Sequence, residues 1–107
     1  RSNLLTPLQI TNILCKIYAS PSYKYLYNSL PIAGRSGTIS SLCKGHYAEG
    51  NLRAKSGFMS GVRSYAGYVK NRNNEMLAFA LIINNHQLKS SAIKAKIEKL
   101  LEAIADL

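Results

Sequence analysis

The chain has 107 residues, 14 Lys and Arg against 5 Asp and Glu, and a formal net charge of +9. That length suits one domain, or a piece of one, with a modest core, and no apolar run is long enough to span a bilayer. The basic residues are scattered between apolar positions rather than gathered into a run, so they argue for a solvated face or a field favouring anionic ligands more than for nucleic-acid binding.

In chain order, "LLTPLQITNILCKIYAS" opens with Thr6 as N-cap and Pro7 at the first helical position. Ile10, Ile13, Leu14 and Ile17 keep helical spacing, which predicts an amphipathic helix ending near Ser20. Ser20-Pro21 repeats the start signal and predicts a short helix from Tyr23 to Leu30. "LPIAGRSGTI" reads as a loop from its Pro and Gly content, and a short helical turn is expected from Thr38 to Lys44, stopping at Gly45.

The stretch "NLRAKSGFMSGVRSYAGYV", Asn51 to Val69, reads as a strand, a tight Gly turn and a second strand. The strands are placed at about Leu52 to Phe58, Val62 to Lys70 and Glu75 to Asn84, with "NRNN" as the second connection. Short links imply an antiparallel meander. From about Ser90, an apolar stripe of Ile93, Ile97, Leu100, Leu101 and Ile104 predicts a terminal helix to cover the sheet. The expected class is α+β: a three-stranded antiparallel meander under a C-terminal helix, with N-terminal helices before it.

Within the first strand, Lys55-Ser56-Gly57 is unusual, because Gly weakens strands and often marks the close approach of a ligand or another backbone. Alternation puts Lys55 and Ser56 on opposite faces. At a sheet edge, however, an ammonium, a hydroxyl and free backbone amides can converge on one groove, with Gly57 keeping it open. Such a groove suits a carboxylate at the end of an extended peptide.

"LRAKSGFMSGVRSYAGYV" followed by "MLAFALIINN" resembles the end of the penicillin-recognising serine D-Ala-D-Ala carboxypeptidases, most of all the class C low-molecular-mass penicillin-binding proteins of the S13 peptidase group. "SNLLTPLQITNIL" and "LPIAGRSGTI" look like the segments leading to the same motif, so the likeness runs from Ser2 to the terminal helix. The family's Lys-Thr-Gly motif stands here as Lys55-Ser56-Gly57, with the hydroxyl kept and a methyl lost.

The resemblance implies that residues 1–107 are the C-terminal segment of a D,D-peptidase domain with a β-lactamase-like transpeptidase fold. It implies that Lys55, Ser56 and Gly57 bind the carboxylate of a peptidoglycan stem peptide ending in D-Ala-D-Ala, and that the backbone N–H of Phe58 is one of two oxyanion-hole donors. It further implies β-lactams as inhibitors, no cofactor or metal, no nucleic-acid partner, and the periplasm or cell envelope of a bacterium as the location.

The nucleophile and base of such enzymes lie in a Ser-x-x-Lys motif, assisted by Ser-x-Asn. Ser41 to Lys44 and Ser91 to Lys94 match the first by spacing, but both fall in parts that should follow the nucleophile, and no Ser-x-Asn occurs. Both are read as chance matches, and the nucleophile is expected upstream in the same polypeptide. A fragment without it would be inactive alone.

Cys15 and Cys43 lack metal-type spacing, Cys15 is read as a small hydrophobe of its helix, and nothing supports their pairing. His46 and His86 fit neither a triad nor a metal set and are read as surface or loop residues. The seven Tyr, notably Tyr23, Tyr25 and Tyr27, are expected to pack against the helices with their hydroxyls at the surface rather than to stack on bases. Two other readings stay open: a small basic binding domain for nucleic acid or an anionic cell-wall polymer, and a relative that binds peptide without cleaving it.

Overall fold

The computed structural model describes residues 5–59, 61–84 and 89–107. Helix α1 (Pro7–Tyr18) begins where Thr6 and Pro7 predict it. The Thr6 hydroxyl oxygen accepts the Gln9 amide at 3.1 Å, and Gln9 Oε1 accepts the Thr6 amide at 2.8 Å. This reciprocal cap satisfies two of the amides a helix start leaves unpaired. The helix ends two residues before Ser20, because the Ser20 hydroxyl donates to the Ile17 carbonyl and accepts the Ser22 amide, turning the chain into α2 (Tyr23–Ser29).

The helical turn expected over Thr38 to Lys44 shrinks to a 3-10 turn, Gly37–Ile39. Cys43 holds a left-handed backbone at φ +63° that no helix can contain. Its amide donates to Glu98 Oε2 at 3.0 Å, and the Ala48 amide donates to Glu102 Oε2 at 3.0 Å. Acids of the terminal helix therefore fix a loop far away in sequence.

Strands β1 (Leu52–Met59), β2 (Val62–Lys70) and β3 (Met76–Asn84) form the expected antiparallel meander in the order β1-β2-β3. Met59 faces Val62, and Gly61 closes the connection at φ +78°, a conformation glycine adopts without steric cost. The second connection is closed by Asn71, a buried polar residue. Its Oδ1 accepts the amides of Asn73 and Glu75 at 3.0 and 2.8 Å, and its Nδ2 donates to Glu75 Oε1 at 2.9 Å.

One face of the sheet packs Leu52, Ala54, Tyr65, Val69, Phe79 and Ile83 against Ile93, Ile97, Leu101 and Ala105 of helix α3 (Ser90–Ala105). The four α3 residues recur every fourth position, so they form one stripe. Each fully buried Ile or Leu among them contributes about 1.5–3 kcal/mol. Of the expected stripe, Leu100 and Ile104 flank this line and are only partly buried. The opposite face is not bare: Tyr68 packs there with Leu14 of α1 and with Leu30. The sheet is covered on both sides, α3 on one and α1 with α2 on the other.

Candidate functional site

Lys55-Ser56-Gly57 lies on the edge strand of this sheet. On the inner side, Lys55 pairs with Ala66, Ser56 with Tyr65, Gly57 with Ser64 and Phe58 with Arg63. On the outer side, the loop before the 3-10 turn covers only the first part of β1. The Ala33 amide donates to the Leu52 carbonyl at 2.9 Å, and the Ala54 amide to the Pro31 carbonyl at 3.1 Å. Because every second residue of a strand turns its amide and carbonyl the same way, the groups of Ser56 and Phe58 share that outward direction. No described segment pairs with them beyond Ala54.

The open edge is where the lysine ends. Lys55 Nζ donates to the Ser56 carbonyl at 2.7 Å, so the ammonium reaches the outer edge although its side chain leaves the strand on the face opposite Ser56. The Ser56 hydroxyl lies 2.6 Å from the Thr38 hydroxyl, either donating. Thr38 belongs to the 3-10 turn, and the sequence reading gave it no part in the site. The edge thus gathers an ammonium, a hydroxyl pair and two outward amides within four residues of strand.

The glycines work at close range. Gly57 is exposed, and a Cβ on it would stand 2.8 Å from the Ser64 Oγ of its cross-strand partner. A Cβ on Gly67 would collide with the Arg53 carbonyl oxygen and lie 2.8 Å from Ala54 Cα. Gly67 therefore lets β2 press against β1 immediately before Lys55. Phe58 is 65 % exposed, and the Arg63 guanidinium sits over its ring at 5.3 Å from the centroid, a cation–π pair that steadies the end of the strand.

At the other end, Arg53 anchors β1 to α2. Its Nη1 donates to the Tyr27 carbonyl at 3.1 Å, and its guanidinium lies 4.1 Å from the Tyr27 ring centroid. Tyr18, Tyr23, Tyr27 and Tyr68 touch one another in tilted and edge-on pairs. Burial, then neighbouring tyrosines, push the Tyr23 phenol up to about 12, and burial raises Tyr68. The expected surface hydroxyls need one correction: Tyr68 is buried, and its hydroxyl donates to the Leu14 carbonyl at 2.6 Å. Tyr25 is exposed, with Lys24 Nζ 5.4 Å from its ring centroid.

Ser41 and Ser91 are both exposed, and neither bonds to a lysine among the described residues. His46 is exposed on its loop, while His86 lies outside the described residues. Both cysteines are free thiols: Cys43 is buried, but Cys15 is exposed on α1 rather than packed as a small hydrophobe. Burial and the neighbouring Glu102 carboxylate push the Cys43 thiol up to about 12. Among the described residues, no group of His, Cys, Asp or Glu side chains is placed to hold a metal ion.

The sequence matches the D-Ala-D-Ala carboxypeptidase 3 (S13) family over residues 1–104. It is 37% identical over 91 residues to a D-alanyl-D-alanine carboxypeptidase of Actinomadura sp. (strain R39), covering 80% of this chain and 17% of that protein. It is 39% identical over 89 residues to the carboxypeptidase DacB of Mycolicibacterium smegmatis, covering 78% of this chain and 19% of that protein. The crystal structure of penicillin binding protein 4 from Haemophilus influenzae superposes with a TM-score of 0.87 at 27% identity, over 100% of this chain and 26% of that one. The same protein complexed with a β-lactam superposes equally well, at 0.87. The chain spans about a fifth of the length of the curated relatives it matches.

Proposed function

The chain belongs to the S13 family of D-Ala-D-Ala carboxypeptidases, and on that premise we propose that it is the C-terminal segment of a serine D,D-peptidase that cleaves peptidoglycan stem peptides through an acyl-enzyme. The observation that carries this reading is the open outer edge of β1, where the Lys55 ammonium, the Ser56 hydroxyl and the outward Phe58 amide stand within four consecutive residues. A stem peptide in extended form adds to that edge as a further antiparallel strand. Its terminal carboxylate accepts from Lys55 and Ser56, charge-assisted on the lysine side. The carbonyl one residue earlier then lies along the strand toward Phe58. When a serine attacks that carbonyl, negative charge develops on its oxygen, and the Phe58 N–H donates to it. Loss of one such donor typically slows acylation by about 10²–10³.

The attacking serine and its lysine belong to the part of the polypeptide upstream of this chain. Ser41 and Ser91 are exposed and neither is hydrogen-bonded to a lysine among the described residues, which supports that assignment, as does the small share of each relative that the chain covers. A β-lactam fits the same edge because its ring amide and carboxylate mimic D-Ala-D-Ala, and the bacterial cell envelope is the compartment that holds such substrates.

The test is to express the complete polypeptide, label it with a fluorescent penicillin and map the adduct by mass spectrometry, measuring D-Ala release from a D-Ala-D-Ala peptide in parallel. The expected result is release of D-Ala and an adduct on a serine upstream of Arg1. An adduct on Ser41 or Ser91, or neither labelling nor release, overturns the reading.

A further inference from the structure

The Ser56 hydroxyl is held by a residue that is itself fixed from far away. Thr38 Oγ1 lies 2.6 Å from Ser56 Oγ, and Thr38 belongs to the 3-10 turn Gly37–Ile39. The pair has two protons, and one is spent on the bond between the hydroxyls. For a substrate to accept from Ser56, Thr38 must be the donor within the pair. Its proton then occupies a lone pair of Ser56 Oγ and leaves the Ser56 proton aimed away from Thr38.

Ahead of Thr38 the turn presses on Pro31, whose carbonyl accepts the Ala54 amide of β1 at 3.1 Å; a Cβ on Gly37 would stand 2.8 Å from Pro31 Cβ. Behind Thr38 the Leu42 amide donates to the Ile39 carbonyl at 3.1 Å, and the chain then enters Cys43 with its left-handed backbone at φ +63°. A residue other than glycine keeps that conformation only where its surroundings impose it. Two acids of α3 do so. Glu98 Oε2 accepts the Cys43 amide and Glu102 Oε2 the Ala48 amide, at 3.0 Å each, and Glu102 also hydrogen-bonds the Cys43 side chain. Four positions apart, the two carboxylates lie on one face of the helix and bracket the loop at both ends.

We propose that Glu98 and Glu102 are positioning residues for the reaction: by clamping Cys43 and Ala48 to α3 they set where Thr38 stands, and Thr38 orients the Ser56 hydroxyl. Without the clamp, Cys43 relaxes toward an ordinary backbone conformation and the turn behind Thr38 shifts. Ser56 then loses the donor that aims its proton. The inference rests on the D,D-peptidase reading above and extends it to residues on the far side of the loop from the strand edge.

The experiment is a double-mutant cycle in the complete polypeptide, read as kcat/KM for D-Ala release from a D-Ala-D-Ala peptide well below each variant's melting temperature. Thr38 is exposed, and Thr38→Val trades its hydroxyl for a methyl, so the fold should survive. It should lower kcat/KM by about 2- to 10-fold, the range of one neutral hydrogen bond, while Thr38→Ser keeps most of the activity. Glu98→Ala should cost a similar factor in the wild-type background. Glu98→Gln, which keeps an acceptor for the Cys43 amide, should cost less. In the Thr38→Val background Glu98→Ala should cost almost nothing further, because the route it acts through is already cut. A merely structural Glu98 would lower kcat/KM by the same factor in both backgrounds. That result, or an unchanged kcat/KM in Thr38→Val, refutes the proposal and leaves the D,D-peptidase reading intact. Should Glu98→Ala fail to fold, Glu102→Ala runs the same cycle from the other end of the loop, with the same outcomes deciding. A wild-type protein that releases no D-Ala refutes the D,D-peptidase reading and this one with it.

Discussion

Replacing Lys55 by Ala separates a recognition role from a structural one, because the structure predicts opposite sizes for the two effects. Lys55 is exposed, and its ammonium donates to the outward carbonyl of its own neighbour, Ser56. Truncation hands that carbonyl to water and opens no cavity, so stability should move by no more than about 0.5 kcal/mol. On the proposed role, in contrast, the substrate carboxylate should lose a charge-assisted hydrogen bond worth roughly 1.5–3 kcal/mol, which is about 10- to 150-fold in kcat/KM. Ser56→Ala should cost less, because a single neutral donor worth about 0.5–1.5 kcal/mol disappears while the ammonium remains. Ser56→Thr keeps the hydroxyl that meets Thr38 and should be nearly silent. The assay compares D-Ala release and melting temperature across the three variants of the complete polypeptide. A Lys55→Ala protein that turns over substrate normally but melts early would make Lys55 structural and remove the basis for placing the site on this edge.

Two further outcomes concern the frame that holds the edge. Tyr68→Phe removes the buried bond from the Tyr68 hydroxyl to the Leu14 carbonyl and should destabilise the protein by about 1 kcal/mol, seen as a lower urea midpoint at unchanged m-value; an unmoved midpoint would show that α1 is held by packing alone. Among the two cysteines, Cys15 should react with a thiol reagent at pH 8 in the folded protein and Cys43 only on unfolding, read by mass mapping. The folded state holds the Cys43 proton more tightly than the unfolded state, with a value near 12 against an ordinary 9.0, and the Tyr23 and Tyr68 phenols are shifted in the same direction. That stabilisation is complete below the unfolded values and is lost as pH rises through the folded ones. The urea midpoint should therefore fall between about pH 9 and 12, and Cys43→Ala should flatten part of the fall; a midpoint flat over that range in the wild-type protein would refute the linkage.

The parts of the fold that could be read ahead of the structure are those governed by local rules. Thr6 and Pro7 start a helix by their own chemistry, Gly61 closes a hairpin because its φ must be positive, and a period of four in α3 betrays its buried stripe. What escaped was set by partners distant in sequence. Nothing near Cys43 announces a left-handed residue; the reason, Glu98, is 55 positions away. Nothing near Asn51 says that the second sheet face is covered, because that depends on Tyr68 meeting Leu14 across 54 positions. "NRNN" was legible as a turn by composition, but the buried role of Asn71 at its head was not.

The candidate site divides along the same line. Lys55-Ser56-Gly57 and the Phe58 amide are consecutive, so the motif was visible as letters and its edge position followed from the meander. The depth of the site was not visible. Thr38 is 18 positions from Ser56 and meets it only once the 3-10 turn folds against β1. A motif read along the strand finds groups that point along its edge; it cannot find groups brought behind it by other elements. Gly57 shows how far that limit reaches. A Cβ at that position would meet Ser64 Oγ at 2.8 Å, a cross-strand neighbour that the order of letters does not show. Of the triplet's side chains, the Lys55 ammonium bonds at the outer edge and the Ser56 hydroxyl meets Thr38.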